Sequence, residues 1–204
     1  MSRDAYQHLA TTPAAGAPLV FTLHGTGGDE QQFAGLVGQI LPGAGIVSPR
    51  GDVSEHGANR FFRRQAEGVY DMADLAARTE KLSGFIRAHR DANAGTPVYG
   101  LGYSNGANIL AAVLFEAPDL FDRVVLMHPL IPWTPAPNAA LRALDVLITA
   151  GRRDPIAPLP QTEALAAYLR GQGAQVEVHL HEGGHEIRQE EVQAIATFLR
   201  APRA

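Results

Sequence analysis

Gly102-Tyr103-Ser104-Asn105-Gly106 decides the fold. An apolar run, Pro97-Val98-Tyr99-Gly100-Leu101, precedes it, and a helix-forming run, Asn108-Ile109-Leu110-Ala111-Ala112-Val113-Leu114, follows. A serine with a glycine two residues to either side, set between a strand and a helix, reads as a nucleophile elbow. The turn is sharp, and its backbone passes so close to neighbouring chain that a side chain at either glycine would clash. The hydroxyl is left in the open at a helix N-terminus, where the dipole and free N–H groups favour developing negative charge. A glycine-rich turn whose serine merely caps a helix asks nothing of the rest of the chain. An elbow asks for a base, an acid and an oxyanion hole.

Outward from the elbow, strands alternate with helices. Buried strands are expected at residues 19–23, 46–49, 97–101, 123–128, 145–151 and 176–181, with a short edge strand at 6–10. Most are apolar on both faces, as parallel strands are. Helices are expected at about 30–40, 69–89, 160–171 and 187–200, besides the one after the elbow. Met72, Leu75, Leu82, Phe85 and Ile86 recur at helical spacing in the second of these. Residues 50 to about 67, with the adjacent Phe61 and Phe62, read as a long irregular and functional segment. The pattern predicts an α/β fold: a mostly parallel central sheet of about seven strands with helices on both faces. Residues 1–204 are expected to form one domain, with 1–17 an N-terminal segment.

In such sheets the chemistry sits beyond the carboxyl ends of the strands, and this filter selects partners for Ser104. A serine hydroxyl needs a base, and histidine is suited because it titrates near working pH. Of eight histidines, His8, His56 and His89 lie away from strand ends and read as surface residues. His185, in Glu182-Gly183-Gly184-His185 after the last strand, is placed to reach Ser104. Asp154, three residues past the strand ending at Gly151, is the carboxylate that would fix the imidazole, in the chain order Ser, Asp, His. Asp119, Asp122 and Asp145 fall at the other end of the sheet. The oxyanion donors are expected to be the backbone N–H groups of Asn105 and of Thr26, in His24-Gly25-Thr26-Gly27. That loop has no lysine and no P-loop spacing. His179, His181 and His185 could together bind zinc. The first two alternate on a strand, however, and no H-E-x-x-H spacing accompanies them, so no metal is expected.

Composition sets the limits. The net charge of −4 and the lack of a basic tract point away from nucleic acid and anionic membranes. The absence of cysteine removes disulfides and thiol catalysis and gives no sign of an oxidising compartment. The first residues lack a signal-peptide pattern, and no apolar run approaches membrane-spanning length. The expected location is cytoplasmic.

With these residues assembled, the chain resembles the α/β-hydrolase superfamily. It is similar to the small carboxylesterase/phospholipase branch, which includes the bacterial hydroquinone-resistance-type carboxylesterases and, more distantly, the acyl-protein thioesterases. The likeness runs from Leu19 onward. It rests on His24-Gly25-x-Gly27-Gly28-Asp29, Pro49-Arg50-Gly51, Arg60-Phe61-Phe62-Arg63-Arg64, Gly102-Tyr103-Ser104-Asn105-Gly106-Ala107-Asn108, His128-Pro129, Gly151-x-x-Asp154-Pro155-Ile156 and Gly184-His185. The context of the elbow departs from the thioesterases, and no insertion is long enough for a large lid domain.

The resemblance implies a cofactor-free serine hydrolase that cleaves small-molecule esters or thioesters through an acyl-enzyme. It also implies a pocket flanked by Phe61, Phe62 and the segment from Leu130 through Ile131 to Trp133. Arg60 and Arg63 could hold a substrate carboxylate, since guanidinium pairs with it bidentately, or could be a solvated run. His128 could line the site or be a core histidine. Enol-lactone hydrolysis and perhydrolysis use the same triad and stay open, as does a homodimer. A non-enzymatic binding protein on this fold is the alternative outside enzymes, and the intact Ser104, Asp154 and His185 argue against it.

Overall fold

The computed structural model describes residues 2–202. Its main sheet is built from β1 (His8–Ala10), β2 (Leu19–Leu23), β3 (Gly45–Pro49), β8 (Val98–Tyr103), β9 (Arg123–Met127), β10 (Asp145–Gly151) and β11 (Gln175–His181). The strand order is β1-β3-β2-β8-β9-β10-β11. Every neighbouring pair is parallel except β1 with β3. The parallel strands direct their carboxyl ends to one edge, and β2, β8 and β9 lie adjacent at its centre. The loops carrying Thr26, Ser104 and His128 therefore emerge side by side.

The sequence dictates a sheet covered on both faces. All five residues of β2 and all five of β9 are buried. Alternate side chains of these strands enter two separate cores. Leu19, Phe21, Leu23, Val124 and Leu126 pack against α2 (Met72–Asp91), α3 (Asn105–Glu116) and α4 (Leu159–Gly171). Val20, Val125 and Met127 pack against α1 (Ala34–Ile40) and α5 (Gln189–Arg200).

The structure corrects the sequence reading in four places. Residues 50–67 are not irregular: they hold β4 (Val53–Glu55), β5 (Ala58–Arg60) and β6 (Arg64–Ala66), the last pairing with β7 (Val69–Tyr70). Two antiparallel hairpins result. The first closes on His56 and Gly57, with φ of 50° and 87°. A two-residue turn with both central residues at positive φ matches the twist of the flanking strands. Helix α1 starts at Ala34 rather than near residue 30, because the side chains before it are tied to loops. Glu30 accepts from Arg50 Nε (2.5 Å) and Nη2 (2.8 Å), and Gln32 Oε1 accepts the Gly25 N–H at 2.9 Å. Helix α2 likewise begins later, at Met72, where Asp71 caps it by accepting the Asp74 N–H. His89, read as a surface residue, is buried against Phe85.

Candidate active site

Ser104 sits at the junction of β8 and α3 with φ 51° and ψ −116°. A non-glycine residue at positive φ is costly, of order 1–3 kcal/mol, and persists only where surrounding structure forces it. Here that force is tight packing. A Cβ on Gly102 would lie 2.7 Å from the Gly106 carbonyl oxygen, and one on Gly106 would lie 2.5 Å from the His24 carbonyl oxygen. The elbow is thus wedged against the end of β2, and the serine hydroxyl projects from its apex.

A continuous hydrogen-bonded line runs from that hydroxyl. Ser104 Oγ is 2.9 Å from His185 Nε2, and His185 Nδ1 is 2.7 Å from Asp154 Oδ2. Asp154 Oδ1 accepts the N–H groups of Ile156 (2.8 Å) and Ala157 (2.9 Å). Burial works against charge on Asp154. The bonds from His128, from His185 and from the two N–H groups outweigh it and hold the carboxyl well below the usual carboxylate range. Tyr103 anchors the loop that carries this imidazole: its hydroxyl donates to the His185 carbonyl at 2.8 Å. An ionised carboxylate on Nδ1 leaves Nε2 free to take a proton from Ser104, which activates a serine for attack on a carbonyl.

Thr26 and Asn105 both line the cavity beside Ser104. Their backbone N–H groups have no acceptor among the described residues. The loop bearing Thr26 is fixed by two buried side chains. Arg60 Nη1 donates to Thr26 Oγ1 at 2.8 Å. His24 Nδ1 donates to the Gly25 carbonyl at 2.7 Å, and its Nε2 accepts the Gly51 N–H at 2.9 Å. Burial pushes the His24 imidazole down, which keeps it in this neutral tautomer.

The cavity is about 310 Å³, and its wall is mixed: Arg60, Arg64, Glu67, Tyr70 and Asn108 face it alongside Leu130 and Ile156. Some residues expected at the pocket lie elsewhere. Phe61 and Phe62 are fully buried behind the wall, Phe61 against His24 and Phe62 against Tyr70. Arg63 is solvent-exposed and pairs with Asp74 at 3.2 Å. Ile131 and Trp133 line a separate hollow of about 300 Å³. Arg60 and His128 do face the cavity.

Arg64 and Asn108 escaped the sequence reading as site residues. Arg64 grips Glu55 with Nε at 2.9 Å and Nη2 at 3.0 Å. Asn108 donates to the Tyr70 hydroxyl at 2.8 Å and accepts the Leu130 N–H at 2.7 Å. One helical turn after Ser104, Asn108 had a usable signal in its i+4 spacing. His128, at φ 51°, places Nδ1 2.8 Å from Asp154 Oδ2 and Nε2 3.3 Å from Glu191 Oε2. His181 Nε2 lies 3.4 Å from His128 Nε2 and 3.5 Å from Glu191 Oε2.

The chain as a whole is similar to known proteins. The sequence matches the Dienelactone hydrolase family over residues 7–193. MhqD of Bacillus subtilis (strain 168), a hydrolase by name, is 39% identical over 178 residues, covering 86% of this chain and 88% of that one. Protein Atu2452 of Agrobacterium tumefaciens str. C58 superposes with a TM-score of 0.93 at 56% identity, covering 98% of each chain. The Bacillus cereus carboxylesterase superposes with a TM-score of 0.87 at 33% identity, over 95% of this chain and 92% of that one. With most of its length matched, the chain belongs to the dienelactone hydrolase family of α/β hydrolases, and it is a hydrolase of the dienelactone hydrolase and carboxylesterase type.

Proposed function

We propose that the protein is a serine esterase for small, polar, short-acyl esters. The observation that carries this reading is the unbroken line Ser104–His185–Asp154, with both contacts under 3 Å. Ser104 Oγ attacks the ester carbonyl as His185 takes its proton. The N–H groups of Thr26 and Asn105 receive the developing oxyanion, each donor contributing roughly 2.7–4 kcal/mol. His185 then protonates the leaving alcohol, and water repeats the cycle on the acyl-enzyme.

The small volume and the charged groups on the wall support the substrate class. Arg64 is neutralised by Glu55 and Glu67. Arg60 is buried, its bonds to Thr26 and Phe62 are to neutral oxygens, and its contact with the Glu55 carboxylate is a longer 3.5 Å. Arg60 is therefore the cation best placed to receive a carboxylate or other polar group of the ester, while Arg63 points away. The family match favours a second reading on the same residues, ring-opening of an enol lactone; perhydrolysis would differ only in using peroxide for water.

A panel of p-nitrophenyl esters from acetate to octanoate, with an enol lactone alongside, tests the proposal. The expected result is kcat/KM highest at acetate or butyrate and about tenfold or more lower at octanoate, since a cavity of about 310 Å³ gives little room to a long acyl chain beside the alcohol. A preference for octanoate would contradict it. Faster turnover of the lactone than of any ester would favour the second reading.

A further inference from the structure

Asp154 has a second histidine that the reaction does not need. His128 and His185 bring their Nδ1 atoms to the same oxygen, Asp154 Oδ2, at 2.8 and 2.7 Å. On its other side His128 meets Glu191, which also accepts from Thr149 Oγ1 and, at 3.3 Å, from the Arg188 N–H. The side chains of His128, Asp154 and Glu191 have no exposure at all.

A neutral imidazole carries one N–H. Between two buried carboxylates it would turn a lone pair toward one of them, a contact that the His181 Nε2–H, 3.4 Å from His128 Nε2, offsets only in part. Only the imidazolium donates to both. We infer that His128 is a buried imidazolium bridging Asp154 and Glu191, and that it is a positioning residue: it fixes Asp154 for His185 and offsets part of the charge that Asp154 presents to the base. The kinetic half of this inference rests on the proposed esterase mechanism, and the charge on His128 does not.

The surroundings agree. Burial opposes the charge, but the hydrogen bonds to Asp154 and Glu191 overcome it and raise His128 to about 9. Glu191 is held below its usual range against its own burial, chiefly by the bonds from His128 and Thr149. The other groups facing His128 are His181 from β11, His185 and the ring edge of Tyr103 at 5.8 Å. His181 Nδ1 accepts the Gly183 N–H at 3.0 Å, so its single proton lies on Nε2, which stands 3.4 Å from His128 Nε2 and 3.5 Å from Glu191 Oε2. Burial lowers the His181 imidazole, consistent with that neutral form.

The same bond weighs against a metal ion in the triangle of His128 Nε2, His181 Nε2 and Glu191 Oε2. The spacings of 3.3–3.5 Å would suit the face of a tetrahedral site. With Nδ1 accepting a backbone N–H, however, His181 could ligate through Nε2 only as an imidazolate.

Nitrogen NMR of protein labelled at its histidines reads the charge directly and needs no substrate. Both ring nitrogens of His128 should be protonated at neutral pH, and one proton should leave only in the alkaline range. The kinetic arm follows kcat/KM for p-nitrophenyl acetate against pH in His128→Asn. The asparagine keeps a donor for Asp154 and removes the charge, so the acid limb should move to higher pH by roughly one unit, the low end of what a charge 4–6 Å away produces. Because the single variant strands a buried carboxylate, His128→Asn/Glu191→Gln accompanies it; the limb should move the same way, the lost positive charge being the nearer. A bare Nε2 on His128 would overturn the inference. So would an acid limb that stays in place while only kcat falls, or a stoichiometric metal retained by the purified protein and lost in His181→Gln.

Discussion

At the residue scale the account turns on Asp154, whose surroundings are all donors. Its two oxygens meet two backbone N–H groups and two imidazole nitrogens. In Asp154→Asn the amide nitrogen must face one of these donors, leaving a buried polar group unpaired at a cost of about 1–3 kcal/mol. The variant should therefore lose kcat by about 10⁴-fold, as a mis-oriented base does, and also unfold at lower denaturant concentration. A urea titration beside the kinetics checks both; unchanged stability would mean that the donors around Asp154 rearrange freely. That Ser104, His185 and Asp154 would meet was legible in the sequence, because glycine spacing, position after a strand and chain order all select them. Glu191 was not, since an acid in the first turn of a helix is an ordinary surface feature, and only the tertiary fold buries it beside His128. Arg64 was missed in favour of Arg63 because adjacent residues of an extended chain point to opposite sides, and the choice between them depends on the pairing of β6.

At the element scale the elbow is a strand-to-helix turn pressed onto a neighbouring strand. Gly106 of α3 abuts the backbone at the end of β2, where an added Cβ meets the Leu23 and His24 carbonyl oxygens. Backbone cannot yield as a side chain can, so Gly106→Ala should cost about 3 kcal/mol or more. A chain of this size would then melt roughly 10 °C lower. Calorimetry on Gly106→Ala, with Gly171→Ala as the control because its added Cβ meets nothing, would show it; equal melting of the two would contradict the packing described. The main strands were legible from their apolar runs. The hairpins of residues 53–70 were not: their strands are two or three residues long, too short for alternation to register. The His56-Gly57 turn also hides its positive φ behind a residue less usual there than asparagine.

At the scale of the whole molecule, the buried histidines set the dependence of stability on pH. His24, His89 and His181 have imidazoles lowered by burial, opposed only in part by their neighbours. A lowered group adds stability above its unfolded value and loses it as pH falls, so these three favour folding above about pH 6.5. His128 has the opposite sign. Raised to about 9, it contributes fully below about 6.5 and loses that contribution as pH rises through 9. The two trends predict a stability maximum near pH 6.5–7 and a fall of roughly 3 kcal/mol by the far alkaline side. Melting curves from pH 4 to 10 check this; a plateau unbroken to pH 10 would be inconsistent with charge on His128.

The most direct test of the central claim is labelling by a fluorophosphonate probe, read by mass spectrometry of the digested protein. The account predicts one adduct, on the peptide containing Ser104, with labelling and p-nitrophenyl acetate turnover both lost in Ser104→Ala. Folded wild-type protein that takes no label, or a Ser104→Ala variant that still turns over the ester, would contradict it.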